Sequence, residues 1–206
     1  MANESDGTRR GRNSGSDDGY EPGPTFPVML DVRGRRCVVL GSTDVARARI
    51  AVLTAAGADV VAIDDLPAPS AGAGSAERPF DEAWLVFAAT GSNERDAEIA
   101  GQATAAGVWA NAHDQPGACG FHMAARLTRG PLEIAVGTGA VVPALAVRVR
   151  NLLAELIGDD VVPLIEQAAA ARRAARADGI SPFELDWDAL LAPVLAAIDA
   201  RIAARR

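Results

Sequence analysis

The chain lacks lysine altogether: all 20 of its cationic side chains are arginine. That excludes Schiff-base chemistry on a lysine and a P-loop, which needs one after its second glycine. Cysteine is nearly missing too, since Cys37 and Cys119 are the only two, too few for a disulfide framework or a thiolate zinc site. No apolar run approaches the ~18–20 residues that span a bilayer. The opening MANESDGTRRGRNSG has charges but no apolar stretch of the secretory kind. Cytoplasm is therefore the expected location, with no membrane partner. Excess positive charge is absent as well: 27 acidic residues outweigh the arginines for a net charge of −7, so nucleic acid is not an expected partner.

What is present is a 206-residue chain, 49% hydrophobic, enough to bury one ordinary domain with a small appendage. Residues 1–25 are Gly, Ser, Asp, Asn and Arg with almost nothing apolar, and are expected to be a disordered tail. Order is expected from Phe26-Pro27-Val28. Cys37-Val38-Val39-Leu40 is a continuous apolar run closed by Gly41, the mark of a strand buried on both faces. Asp44 to Ala56 reads as a helix stopped by Gly57, and Asp59 to Ile63 as a second strand, which completes one βαβ unit. Leu66 to Ala76 reads as a loop. Trp84 to Thr90 is a third strand, Asn93 to Ala106 a helix and Val108 to Asn111 a further strand. Leu132 to Val136 alternates into Gly137-Thr138-Gly139. Strands alternating with helices predict an α/β fold with a doubly wound parallel sheet. From Pro143 the pattern turns helical, with helices predicted over Pro143–Ile157, Val161–Ala177 and Trp187–Arg205.

Four loops carry candidate chemistry. Gly41-Ser42-Thr43-Asp44-Val45-Ala46 follows a strand and opens a helix, where a dinucleotide pyrophosphate meets free N–H groups. Gly41 and Ala46 match the G-x-G-x-x-G/A fingerprint, whereas Thr43 stands at its second glycine. A stiff branched side chain there either lifts the ligand or excludes it. Asp64 and Asp65 follow the second strand, where a carboxylate holds a ribose 2′-hydroxyl or simply makes the turn. Asn111-Ala112-His113-Asp114-Gln115-Pro116 ends a strand at the sheet's carboxyl edge. Asp114 either moves protons there or forms an Asx turn into Pro116. Gly137-Thr138-Gly139-Ala140, before the Pro143 helix, is a second candidate anion-binding turn. No His, Cys, Asp and Glu spacing closes a metal site, and His122 reads as structural.

These pieces, in this order, resemble the precorrin-2 dehydrogenase / sirohydrochlorin ferrochelatase family, the N-terminal module of siroheme synthases. The matching residues include Phe26-Pro27-Val28, Val39-Leu40-Gly41, Asp44-Val45-Ala46, Ala55-Ala56-Gly57-Ala58, Ala88-Ala89-Thr90, Asn111, Asp114, Pro116 and Phe121. The match continues through Arg129-Gly130-Pro131-Leu132, Ile134-Ala135-Val136, Thr138-Gly139, Pro143-Ala144-Leu145-Ala146, Arg148 and Arg150. Ser42-Thr43 departs from it, because glycines are usual there; so do Ala48-Arg49, Ala124 and Val142.

The resemblance implies a Rossmann-like NAD-binding domain over residues 26–136 and a dimerisation and helical domain over residues 137–206. It also implies NAD-dependent oxidation of precorrin-2 to sirohydrochlorin in a homodimer, and some members insert ferrous iron as well. The residues carried over are Asp114 for catalysis and Gly41 to Ala46, Asp64 and Thr90 for the cofactor. Asn111, Thr138, Gly139, Arg148 and Arg150 are carried over for the tetrapyrrole. Two alternatives stand beside this reading: an NAD-independent tetrapyrrole chelatase or carrier, and a non-catalytic scaffold on a degenerate Rossmann fold.

Overall fold

The structure is a computed structural model that describes residues 21, 23–66 and 79–205. Most of the expected tail over residues 1–25, and the expected loop beyond Leu66, lie outside the described residues. The chain forms two compact units, one ending at His122 and the other beginning at Met123.

The first unit is a four-stranded parallel sheet in the order β2-β1-β3-β4, built from β1 (Arg36–Leu40), β2 (Asp59–Ile63), β3 (Leu85–Ala88) and β4 (Trp109–Ala112). Helix α1 (Asp44–Ala55) links β1 to β2, and α2 (Asn93–Ala105) links β3 to β4. Side chains alternate across β1, so the two faces bury different sets. Val38 and Leu40 pack with Val86, Ala88, Ile99 and Ala103 on the α2 side, while Cys37 and Val39 pack with Phe87, Ala46 and Leu53 on the α1 side. A helix on each face is the doubly wound arrangement, which explains why β1 and β3 read as unbroken apolar runs. Val38, Val39, Leu40 and Val86 are fully shielded, each contributing about 1.5–3 kcal/mol of apolar burial.

Register aligns the carboxyl ends of the strands. Leu40 stands opposite both Ile63 and Ala88, and Ala88 opposite Ala112. The loops after all four strands therefore emerge along one edge, and β1 has β2 on one side and β3 on the other. That reversal of winding opens a crevice at the β1–β3 boundary, the usual ligand position in such sheets.

The second unit differs from the sequence expectation. Leu132–Val136, expected to follow the parallel strands, is β6, and it pairs antiparallel with β5 (Ala125–Arg129), an element absent from the sequence reading. Its alternation explains this: every second side chain faces out, as suits a one-sided hairpin rather than a strand buried on both faces. Helices α3 (Pro143–Leu156), α4 (Val161–Ala177) and α5 (Trp187–Ala203) complete the unit. Ile157, Val161 and Val194 form its core with Leu132 and Ile134. Among the described residues no helix is long and apolar enough to cross a membrane.

Candidate functional site

Gly41 ends β1 with φ +113°, and a Cβ on it would lie 2.1 Å from the Ala89 carbonyl oxygen. Only glycine lets the β1 turn come this close to the end of β3. Thr43 then caps α1. Its hydroxyl accepts from Ala46 N–H at 3.2 Å and donates to Ala89 O at 2.7 Å. The branched side chain expected to crowd the loop is thus turned inward onto β3, and its oxygen serves both helix cap and strand latch. Ala46, at the third fingerprint position, is fully buried, so the helix sits tightly against the sheet.

Ser42 and the Asp44 side chain stay exposed, and Arg47 reaches back to Ser42 O and to the Asp44 carboxylate. Asp44 and Val45 open the helix, so their N–H groups have no acceptor four residues back. Ala46 N–H is spent on Thr43, which leaves those two donors, with the positive end of the helix dipole, at the crevice. A dinucleotide pyrophosphate fits this turn.

Across the crevice, Thr90 follows β3, and both its N–H and hydroxyl donate to the buried Asp96 carboxylate, at 2.8 and 2.7 Å. Beyond β2, Asp64 is exposed and has no hydrogen-bond or ion-pair partner among the described residues. Asp65 is committed. Arg95 Nε donates to it at 2.8 Å, and that guanidinium holds its carboxyl below the usual carboxylate range. Arg95 also engages Glu98 and Leu66 O, so its charge is shared between two carboxylates.

Asp114 lies just past β4 on the same edge. Its φ is +56°, in the left-handed region that aspartate tolerates better than most residues. The side chain is exposed and has no hydrogen-bond partner among the described residues; Pro116, which has no N–H, cannot donate the expected Asx bond. Beneath it, Asn111 Nδ2 donates to Phe121 O at 3.0 Å and to Cys119 Sγ at 3.3 Å. The buried thiol of Cys119 lies 3.3 Å from Ala112 O and 3.2 Å from Gln115 O. Gln115 Nε2 donates to Asn93 O, which ties the turn to the start of α2.

Within the second unit, Thr138 turns inward, its hydroxyl accepting from Val142 N–H at 3.3 Å and its carbonyl from Val141 N–H at 3.1 Å. The N–H groups of Val141 and Val142, between the Gly137-Thr138-Gly139-Ala140 turn and the Pro143 helix, are thereby spent on Thr138. Arg148 is exposed on α3, and the buried Nε of Arg150 has no hydrogen-bond partner. Neither arginine forms an ion pair among the described residues.

Residues 28–125 match the family model described as "Putative NAD(P)-binding". A siroheme synthase of Nitrosococcus oceani is 31% identical over 180 residues, which is 81% of this chain and 38% of that protein. The siroheme synthase of Escherichia coli K12 is 33% identical over 144 residues, covering 64% of this chain and 32% of the other. Over 81% of its length the chain is thus similar to a siroheme synthase, and its residues 28–125 match an NAD(P)-binding family model.

It spans only 38% and 32% of the length of these two curated relatives. Among solved structures, "SirC, precorrin-2 dehydrogenase" aligns with a TM-score of 0.59 at 16% identity, over 87% of this chain and 98% of that one. At that identity the likeness speaks for the fold. Residues 28–125 are accordingly a nicotinamide-dinucleotide module, and Gly41, Thr43, Asp64, Thr90 and Asp114 all lie at its carboxyl edge. The sequence reading missed the Thr43 latch, although threonine immediately before a helix is a common N-cap. It also missed the Asn111–Cys119 bond, which no local spacing announces.

Proposed function

We propose that this protein is an NAD-dependent precorrin-2 dehydrogenase of siroheme biosynthesis that oxidises precorrin-2 to sirohydrochlorin. The observation that carries the reading is the Asp114 carboxylate, solvent-facing and unpartnered among the described residues, on the same sheet edge as a helix start that suits a pyrophosphate. When bound, NAD supplies the hydride acceptor. The N–H groups of Asp44 and Val45 hold its pyrophosphate, with Gly41, Ser42, Thr43 and Ala46 shaping the turn. Thr90 borders the crevice on the β3 side.

Asp64 accepts from the ribose hydroxyl and repels a 2′-phosphate. Arg95, bound to Asp65 and Glu98, is not available to attract one. NAD is therefore favoured over NADP. As the substrate gives up a hydride, Asp114 takes the accompanying proton, so one C–H pair and one proton leave together and the charges balance. Arg148 and Arg150, cations without carboxylate partners, suit the acid groups of the tetrapyrrole. The exposed apolar residues Leu145, Val147 and Leu152 on α3 support assembly as a homodimer through the second unit.

The test follows sirohydrochlorin absorbance after mixing the purified protein with precorrin-2 and NAD. Turnover is expected, with NAD binding measured in parallel by calorimetry. Asp114→Asn should keep that binding and lose about 10²–10⁴-fold in kcat, the usual contribution of a positioned acid–base group. Asp64→Asn should narrow the preference for NAD over NADP. Absence of any heat or thermal shift with millimolar NAD, or full turnover by Asp114→Asn, would refute the assignment.

A further inference from the structure

The Asp114 turn is held from below by a thiol. We propose that Cys119 is a positioning residue for Asp114, acting through the two carbonyl groups that bracket His113 and Asp114, with Asn111 as its strut. This rests on the acid–base reading of Asp114 given above.

The geometry is specific to that task. Cys119 Sγ lies 3.3 Å from Ala112 O, the last residue of β4, and 3.2 Å from Gln115 O, the first residue after Asp114. A single S–H donor between two acceptors pins the two ends of the turn to one atom. The sulfur in turn receives Asn111 Nδ2 at 3.3 Å. The same nitrogen binds Phe121 O, and Phe121 stands edge-on to Phe87 of β3 with centroids 5.3 Å apart. The thiol is thereby referenced to the sheet as well as to the turn. Asn111 is a strut through its amide nitrogen, which is committed inward. Asp114 at φ +56° needs such bracing, since a backbone in the left-handed region persists only where its surroundings hold it. Burial pushes the Cys119 thiol up, so the neutral S–H that donates is the form present at neutral pH.

Serine keeps the donor on a shorter arm, and alanine deletes it. Cys119→Ala should lower kcat about tenfold, as a small misplacement of a reacting group does, with KM for NAD unchanged. Cys119→Ser should recover most of the loss. In an Asp114→Asn background Cys119→Ala should cost nothing further, because a residue that acts only through Asp114 has nothing left to position. An equal loss in both backgrounds, or parental kcat in Cys119→Ala, would overturn the inference. A second readout does not depend on turnover. The carboxyl ¹³C resonance of Asp114, assigned by its absence in Asp114→Asn, should change position at fixed pH in Cys119→Ala and return towards the parent in Cys119→Ser. Identical resonance positions in all three proteins would overturn the positioning role, whether or not precorrin-2 is oxidised.

Discussion

Gly41→Ala offers the sharpest test of how the nucleotide-binding edge is built. The new Cβ would sit 2.1 Å from Ala89 O, 2.5 Å from Ala89 C and 2.8 Å from Thr90 Cα, all backbone atoms that no side-chain rotation can move aside. Alanine at φ +113° adds strain of its own, about 1–3 kcal/mol, and forcing an extra carbon into a packed site costs about 1–3 kcal/mol more. The sum is about 2–6 kcal/mol, a large share of a typical domain stability of about 5–15 kcal/mol. Gly107→Ala is the control: its φ is +81°, but nothing lies within 4 Å of the added carbon. It should cost only the conformational strain, at the low end of about 1–3 kcal/mol. Urea unfolding followed by tryptophan fluorescence measures both. Trp84 and Trp109 lie in the same unit as Gly41 and Trp187 in the other, so a Trp187→Phe background confines the signal to the first unit. With an m-value of about 2 kcal/mol per molar urea, the Gly41→Ala midpoint should fall by about 1–3 M, well beyond that of Gly107→Ala. Equal midpoints for the two variants would refute the claim that close approach to β3, rather than φ alone, demands glycine.

Thr43→Val keeps the shape of the side chain while deleting the cap and the latch to Ala89 O. The expected cost is about 1–2 kcal/mol, read as a lower urea midpoint; an unchanged midpoint would show that the inward hydroxyl does not stabilise the turn. Acid stability follows from Asp65 and Asp160, whose carboxyl groups Arg95 and Arg201 hold below the ordinary range. A lowered folded-state pKa contributes stability that is fully present above the unfolded value, near 3.9, and is lost as pH falls through the folded one. The melting temperature should therefore hold steady down to about pH 5 and drop below about pH 4. Replacing Arg95 with methionine should flatten the part of that drop due to Asp65. A melting temperature that rises on acidification would contradict the sign.

Much of the first unit is legible in the sequence because its signals are local. A continuous apolar run from Cys37 to Leu40, a glycine at each helix end and the stretch from Asp59 to Ile63 place β1, α1 and β2 nearly residue for residue. β5 escapes notice because Arg126 and Thr128 flank a single buried apolar residue, Leu127, so the segment has no apolar stripe to read. β6 is legible as a strand, but its partner is not, because pairing is set by a neighbour that itself gives no signal. Asp114 is visible as a candidate through its place after a strand and before Pro116. Its freedom from an Asx bond is legible too, because Pro116 has no N–H to donate, whereas the thiol beneath it depends on how Cys119 folds back across an intervening 3-10 turn at Pro116–Ala118.

The inward hydroxyl of Thr43 also bears on the thermodynamics of occupancy. In a loop built from successive glycines, a ligand must first quieten the backbone, and part of its binding free energy goes into that ordering. Here the turn is stapled before any ligand arrives, to Ala46 on one side and to Ala89 on the other. Association at this turn should therefore carry a small entropic penalty, with little change in amide protection over residues 41–46 between the free and occupied states. The threonine gives up backbone adaptability and provides a seat whose shape is settled in advance.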